Sequence, residues 1–230
     1  VEIGKKEAWQ ERVRKSNAET TLIPYLKSRG VDRLDKLVLT HTDTDHMGDM
    51  LELAKHFSIR EIYVSKGSMT QADFVDKLKK MKAKVHVVEV GDRLPIFDSA
   101  LEVLYPLTQG DGGNDDSIVL YGEFFRTKFL FTGDLEAPGE GQMVTAYPDL
   151  RVDVLKAGHH GSKGSSSPEF LEHIKPKLAL ISAGKNNRYQ HPHKETLDRF
   201  EKIRTKIFRT DEQGAIRFKG WNSWKIETVR

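Results

Sequence analysis

With 230 residues, 37% of them hydrophobic and 31% charged, the chain has material for one large α/β core and is too polar for a membrane span yet too apolar for a disordered tail. No apolar run reaches the roughly 18 residues of a spanning helix, residues 1–30 lack the apolar centre of an export signal, and the absence of cysteine excludes thiol catalysis, Cys-based zinc sites and disulfides. The net charge of +3 conceals an asymmetry: residues 1–154 carry 21 basic and 26 acidic side chains, residues 155–230 carry 16 and 8, so the last third suits a polyanionic partner, although a solvated lysine-rich face is the plainer account.

Apolar Ala8, Trp9, Val13, Leu22, Ile23 and Leu26 recur at loosely helical spacing, which predicts a helix from Ala8 to about Lys27 with a bend near Pro24. The short apolar run Leu37–Thr40 reads as a buried strand, Met47–Ala54 as a helix, and the pattern repeats as a strand near Glu61–Ser65, a helix near Gln71–Met81 and a strand near Lys84–Val90. In the middle, the runs Ala100–Leu104, Ser117–Tyr121 and Phe129–Thr132, separated by turn residues, predict antiparallel pairing. There follow a strand at Val152–Ala157, a helix near Pro168–Ile174, a strand at Leu178–Ser182, a helix over His193–Ile203 and short strands at Lys206–Arg209, Ala215–Phe218 and Trp224–Thr228. This is an α/β layered chain with no repeat and no linker, read as one domain over residues 1–230.

Chemistry gathers where these strands end. His41-Thr42-Asp43-Thr44-Asp45-His46 leaves the first strand with four potential metal ligands at offsets 0, 2, 4 and 5. The plainer account is a solvated turn in which Asp43 or Asp45 caps the next helix. Two carboxylates and two imidazoles crowded together are better explained by a cation that offsets their desolvation. Thr132-Gly133-Asp134 follows the Phe129 strand, Gly158-His159-His160-Gly161-Ser162 follows the Val152 strand, and Asn186-Asn187-Arg188-Tyr189-Gln190-His191-Pro192-His193 follows the Leu178 strand. Strand C-termini are where α/β sheets collect their ligands. Six of nine histidines lie in these clusters, whereas His56, His86 and His173 sit singly and read as ordinary core or surface residues.

Taken in order, the motifs around His41–His46, Thr132–Asp134 and Gly158–Ser162 resemble those of the metallo-β-lactamase fold superfamily. The aspartate at position 43, Asn114 to Ser117, and the segment from Gly184 to His193 resemble the soluble C-terminal domain of the ComEC family of DNA-uptake proteins. The resemblance runs from about Trp9 to the C-terminus. It implies an αββα sandwich with a two-metal site at one edge; the chain opens at Val1-Glu2-Ile3-Gly4, so part of the superfamily's N-terminal strand pair is expected to be missing, as is the membrane channel.

Carried over residue by residue, the resemblance implies that His41 and Asp43 hold one metal, Asp45 and His46 the other, and that Asp134 bridges them. His159 or His160, and His191, are candidates for the remaining positions. Asp45 also positions the attacking hydroxide, and His160 or His193 protonates the leaving oxygen. Asn114, Ser162, Lys185, Asn187 and Arg188 are candidate substrate contacts. The superfamily's usual histidine before the bridging aspartate is absent, its region being occupied by Asn114, Asp115 or Asp116. An aspartate at position 43 hardens the site, so Mn²⁺ competes with Zn²⁺ as the expected ion.

The function so implied is a metal-dependent nuclease that degrades the non-imported strand during DNA uptake. Its expected partners are single-stranded DNA and the channel domains of its parent polypeptide, at the extracytoplasmic face of the bacterial membrane. Two alternatives stand beside it: a metallohydrolase of a small ester such as a phosphocholine, which predicts a closed apolar pocket, and a non-catalytic module that binds DNA or braces the channel.

Overall fold

The computed structural model describes residues 16–219 and 224–229. Residues 8–15 of the expected first helix therefore lie outside the described residues. The rest of it is a π-helical turn, Ala18–Leu22, running directly into α1, Ile23–Ser28, with Pro24 just after the point where the wider pattern gives way to the α-helical one. Strand β1 (Arg33–Leu39), helices α2 (Thr44–Met47) and α3 (Met50–His56), β2 (Ser58–Ser65), α4 (Ala72–Lys79) and β3 (Lys84–Val88) follow. The three strands form an all-parallel sheet in the order β1-β2-β3, and among the described residues no strand precedes β1.

The second sheet has seven strands. A meander of β4 (Arg93–Ile96), β5 (Ser99–Tyr105), β6 (Val119–Phe124) and β7 (Thr127–Phe131) pairs antiparallel as the middle of the sequence predicts. From β7 the sheet continues in parallel through β8 (Val154–Lys156), β9 (Leu178–Ile181) and β10 (Lys206–Arg209), connected by helices α5 (Ala137–Ala146), α6 (Pro168–Ile174) and α7 (Lys194–Lys202). After a short helix α8 (Thr210–Gln213), strands β11 (Ala215–Lys219) and β12 (Lys225–Val229) make a separate antiparallel hairpin.

Side-chain alternation explains the layering. On one face of the large sheet, Val119, Leu130, Leu155 and Ala179 pack under Met143 of α5, Phe170 and Leu171 of α6 and Phe200 of α7. On the opposite face, Leu120, Val103 and Leu94 meet Tyr63 and Val88 of the small sheet, whose other side lies under Met50, Leu53, Phe74 and Leu78 of α3 and α4. The result is helices, sheet, sheet, helices, the expected αββα order. The small sheet covers only the β4–β6 half of that inner face. Phe129, Val154 and Leu178 on the other half pack against Phe218, Trp224 and Ile226 of the β11–β12 hairpin.

Three elements escape the sequence reading, β4, α5 and the short α8, and the one helix expected over Met47–Ala54 is two, α2 and α3. Helix α6 forms where the sequence places it, and the structure supplies its cap: Ser167 Oγ accepts from the Phe170 N–H at 3.3 Å and Pro168 takes the first helical position. Ser167→Ala should destabilise by about 1 kcal/mol, a fall of roughly 2–4 °C in Tm for a domain of this size, read by calorimetry.

Candidate metal centre

The parallel run β7-β8-β9 aims three strand ends at one edge of the large sheet, and the loop after β1 meets them there because the Ile118 N–H donates to the Thr40 carbonyl at 3.0 Å. That loop is fixed in turn by Thr42, whose N–H and Oγ1 both donate to the Gly112 carbonyl, at 2.8 and 2.9 Å. Asp43 stands at the N-cap position of α2 but its side chain caps nothing, so the helix-capping account of the hexapeptide fails for it. Neither does the structure show any capping by Asp45, which lies within α2.

Residues far apart in sequence converge here. Oδ2 of buried Asp134 is 3.0 Å from His46 Nε2, 3.7 Å from His160 Nε2 and 3.8 Å from His159 Nε2. His160 Nε2 also lies 3.2 Å from Asp45 Oδ2 and 3.3 Å from His46 Nε2. Asp45, His46, Asp134 and His160 each offer one ligand atom within a span of 4.8 Å. His41 lies beside them, with its ring 4.1 Å from that of His46 and its Nε2 4.0 Å from Asp43 Oδ2.

The orientation of each ring follows from its outward nitrogen. His160 Nδ1 is 2.7 Å from the Ser182 carbonyl; a carbonyl only accepts, so that nitrogen carries the proton and Nε2 presents its lone pair inward. His41 Nδ1 is held by Thr40 Oγ1 at 3.0 Å and Ser117 Oγ at 3.2 Å. Ser117 Oγ also accepts from the Asp134 N–H at 3.0 Å, so one hydroxyl ties the first motif to the second. His193 is opposite in sense: its Nδ1 accepts from the Lys163 N–H at 3.0 Å, leaving Nε2–H as a donor.

Electrostatics agree with a cation-binding role. Burial would push the Asp134 carboxyl up, but the hydrogen bond from His46 and the charge of Lys156 hold it well below the usual carboxylate range. Burial, then the charge of His46, pulls His41 down to about 4; burial and the neighbouring His193, His159 and His160 pull His191 to about 4 as well. Both imidazoles are therefore neutral at pH 7. His41 Nε2 and Asp134 Oδ1 are buried without a hydrogen-bond partner, a deficit of about 1–3 kcal/mol each unless something else satisfies them. An oxygen-and-imidazole donor set with two buried, unpartnered polar atoms fits a divalent ion such as Zn²⁺ or Mn²⁺.

The remaining sequence candidates spread around this centre. His191 sits between the rings of His159, His160 and His193, at 5.5, 6.3 and 4.8 Å. Arg188, with Tyr189, faces Thr42, Asp43, Thr44 and Asp45 across an open cleft. Lys185 is exposed and is not among the residues lining that cleft. Asn187 is engaged within its own loop, donating to the Gly184 and His191 carbonyls and accepting from the His191 N–H. Ser162 Oγ accepts from the Gly164 N–H.

None of Asn114, Asp115 and Asp116 joins the four-residue group. Asp116 is buried against Ser65 and the Gly110 N–H, Asp115 accepts from the Glu136 N–H, and the Asn114 amide faces Glu136. His56, His86 and His173 pair with Lys27, Tyr63 and the Tyr147 carbonyl, away from the cleft. Sequence reasoning placed Ser117 and Tyr189 inside quoted motifs without giving either a role, and it overlooked Glu136, which no local pattern marks.

Comparison with known proteins follows the same lines. A model of the metallo-beta-lactamase superfamily matches residues 6–185. ComE operon protein 3 of Bacillus subtilis is 38% identical, covering 93% of this chain and 28% of that protein. Competence protein ComA of Neisseria gonorrhoeae is 35% identical, covering 87% and 27%. The chain thus spans about a quarter of the length of these relatives. The metallo-beta-lactamase fold protein YhfI of Bacillus subtilis superposes with a TM-score of 0.54 at 12% identity, covering 84% of this chain and 80% of that one, a likeness of fold alone.

Proposed function

Since this chain belongs to the metallo-beta-lactamase superfamily and has competence-protein homologues, we propose that it is a metal-dependent nuclease hydrolysing DNA phosphodiesters. The carrying observation is the convergence of Asp45, His46, Asp134 and His160, with Asp45 and His160 3.2 Å apart across 115 residues of sequence. His41, Asp43, Asp45, His46, Asp134, His159, His160 and His191 are the proposed ligand pool. Divalent ions held there would supply Lewis acidity toward a phosphoryl oxygen and an attacking water.

The chain's own groups do the rest. Arg188 in the cleft lining offers a guanidinium to the phosphate, and Tyr189 lines the cleft beside it. Asp45, more than half exposed to that cleft, is placed to accept a proton from the attacking water. Asp134 offsets the positive charge collected around it, with Lys156 Nζ 3.9 Å away. His193 Nδ1 accepts from the Lys163 N–H, which leaves Nε2–H as its donor. Its proposed role is accordingly a hydrogen bond to the departing side of the substrate. His160, whose Nε2 lone pair points inward, is assigned to ligation in preference to proton donation.

Support for a nucleic acid over a small ester comes from the cleft, which is open and lined by Thr42, Asp43, Thr44, Asp45, Arg188 and Tyr189, without an apolar enclosure. The competence protein among the relatives supports DNA uptake as the setting; single-stranded DNA as partner, and the outer face of the cell membrane beside channel domains of a longer polypeptide as the place, are part of the same proposal. Among the described residues no helix is long and apolar enough to cross a membrane.

The test is a labelled single-stranded oligonucleotide incubated with the protein in EDTA, Mn²⁺ or Zn²⁺, beside Asp45→Ala. Cleavage in at least one metal, none in EDTA, and a loss of at least ~100-fold in Asp45→Ala are expected. Salt-sensitive binding without turnover overturns the enzyme reading, and hydrolysis of a small phosphodiester with DNA left intact overturns the substrate.

A further inference from the structure

Glu136 is a carboxylate beside the histidine cluster that no step described above employs. It stands at the N-cap position of α5, where the helix end favours negative charge. Its backbone is tied on both sides: the Glu136 N–H donates to Asp115 Oδ1 at 3.0 Å, and the Ala137 N–H donates to the Gly164 carbonyl at 2.9 Å. With the main chain so fixed, Glu136 Oε1 lies 3.0 Å from His159 Nδ1 and 3.4 Å from Asn114 Nδ2.

His159 needs such a partner. It and His160 are consecutive residues in the left-handed region, at φ 43° and 54°, a conformation that bulky side chains rarely adopt. The two rings stand 68° apart, and both approach Asp134 Oδ2 through Nε2, His160 within the group it forms with Asp45 and His46 and His159 from outside that group. His160 is oriented by the Ser182 carbonyl, whereas His159 has Glu136. An ionised carboxylate only accepts, so His159 Nδ1 carries the proton and Nε2 presents a lone pair, 3.8 Å from Asp134 Oδ2.

We infer that Glu136 is a positioning residue, fixing the tautomer and direction of His159 so that its Nε2 and Asp134 form a second ligand pair, apart from the Asp45–His46–His160 side. A carboxylate behind a ligating imidazole raises its basicity, and losing such a partner typically weakens metal binding 10–100-fold. The inference rests on the reading of this centre as a divalent-ion site.

Two measurements test it, on the full chain and on Glu136→Ala and Glu136→Gln. In metal-free protein, ¹⁵N–¹H spectra of the histidine side chains should show His159 as the Nδ1–H tautomer, shifting toward Nε2–H in Glu136→Ala and staying Nδ1–H in Glu136→Gln, whose amide oxygen still accepts. In chelator-competition titrations with Mn²⁺ alone, Glu136→Ala should weaken one binding equivalent ~10–100-fold and leave the other unchanged, with substantial recovery in Glu136→Gln. An unchanged tautomer in Glu136→Ala, or Mn²⁺ binding equal to wild type in that variant, overturns the inference. Equal impairment of both variants overturns it too, since the acceptor would then be irrelevant. If the wild type binds no Mn²⁺, the metal-centre reading fails, and the spectra still decide whether Glu136 sets the His159 tautomer.

Discussion

Asp134→Ala should abolish metal-dependent cleavage, a loss of at least ~100-fold measured under single-turnover conditions after EDTA treatment and reloading with Mn²⁺. Its Oδ2 is within 4 Å of three imidazole Nε2 atoms, and its Oδ1 is buried without a hydrogen-bond partner, so every arrangement of ions among these ligands depends on this carboxylate. Asp134→Asn separates charge from shape, because it keeps the volume and loses the anion; cleavage surviving in that variant would sink the metal-centre reading. The metal-free protein offers a second readout. Asp134 is held below the usual carboxylate range when folded, so it contributes stability above that range that is lost as pH falls through it. Acid melts of Asp134→Ala should lack that part of the decline.

Gly133→Ala is the second large effect. Gly133 has φ +55°, and a Cβ there would stand 2.8 Å from Ser117 Cβ, 2.9 Å from Ser117 Oγ and 3.2 Å from Thr40 Cβ. The left-handed backbone alone costs an alanine roughly 1–2 kcal/mol. The overlap adds to this by displacing Ser117, the hydroxyl that holds both His41 Nδ1 and the Asp134 N–H. A total near 2–3 kcal/mol corresponds to a fall of roughly 4–12 °C in Tm, accompanied by weaker Mn²⁺ binding in the same titration. Gly141→Ala is the contrast: nothing lies within 4 Å of its Cβ position inside α5, so it should stabilise slightly. A Gly133→Ala protein melting within a degree of wild type would show that the crowding around Ser117 relaxes freely.

What the sequence disclosed depended on how contiguous each feature is. The hexapeptide His41–His46 compresses four ligand types into one strand-end loop, and β7, β8 and β9 are short apolar runs ending in Asp134, in His159-His160 and in the loop to His193. Helix α5 was hidden because Pro138, Gly139 and Gly141 are poor helix residues. Its packing overrides their propensity: a Cβ on Gly139 would lie 2.3 Å from Leu135 Cδ1, so the close approach of helix and strand-end loop demands glycine. Strand β4 was hidden by Pro95, which is tolerable because β4 is the edge of the large sheet. Ser117 and Glu136 act through hydrogen bonds across 76 and 23 residues, and no local pattern announces such partnerships. The amide of Asn187 sits in a promising motif, yet its bonds all close on its own loop.

The Asp45–His160 contact has a further consequence for how the molecule comes together. Neither the β1 loop nor the β7–β9 edge can coordinate an ion fully without the other, since the two halves meet only after more than a hundred intervening residues have been threaded into both sheets. Contacts of that reach form late. Occupancy of the centre would thus act as a checkpoint on assembly, available to chains that have finished folding and withheld from those still under construction.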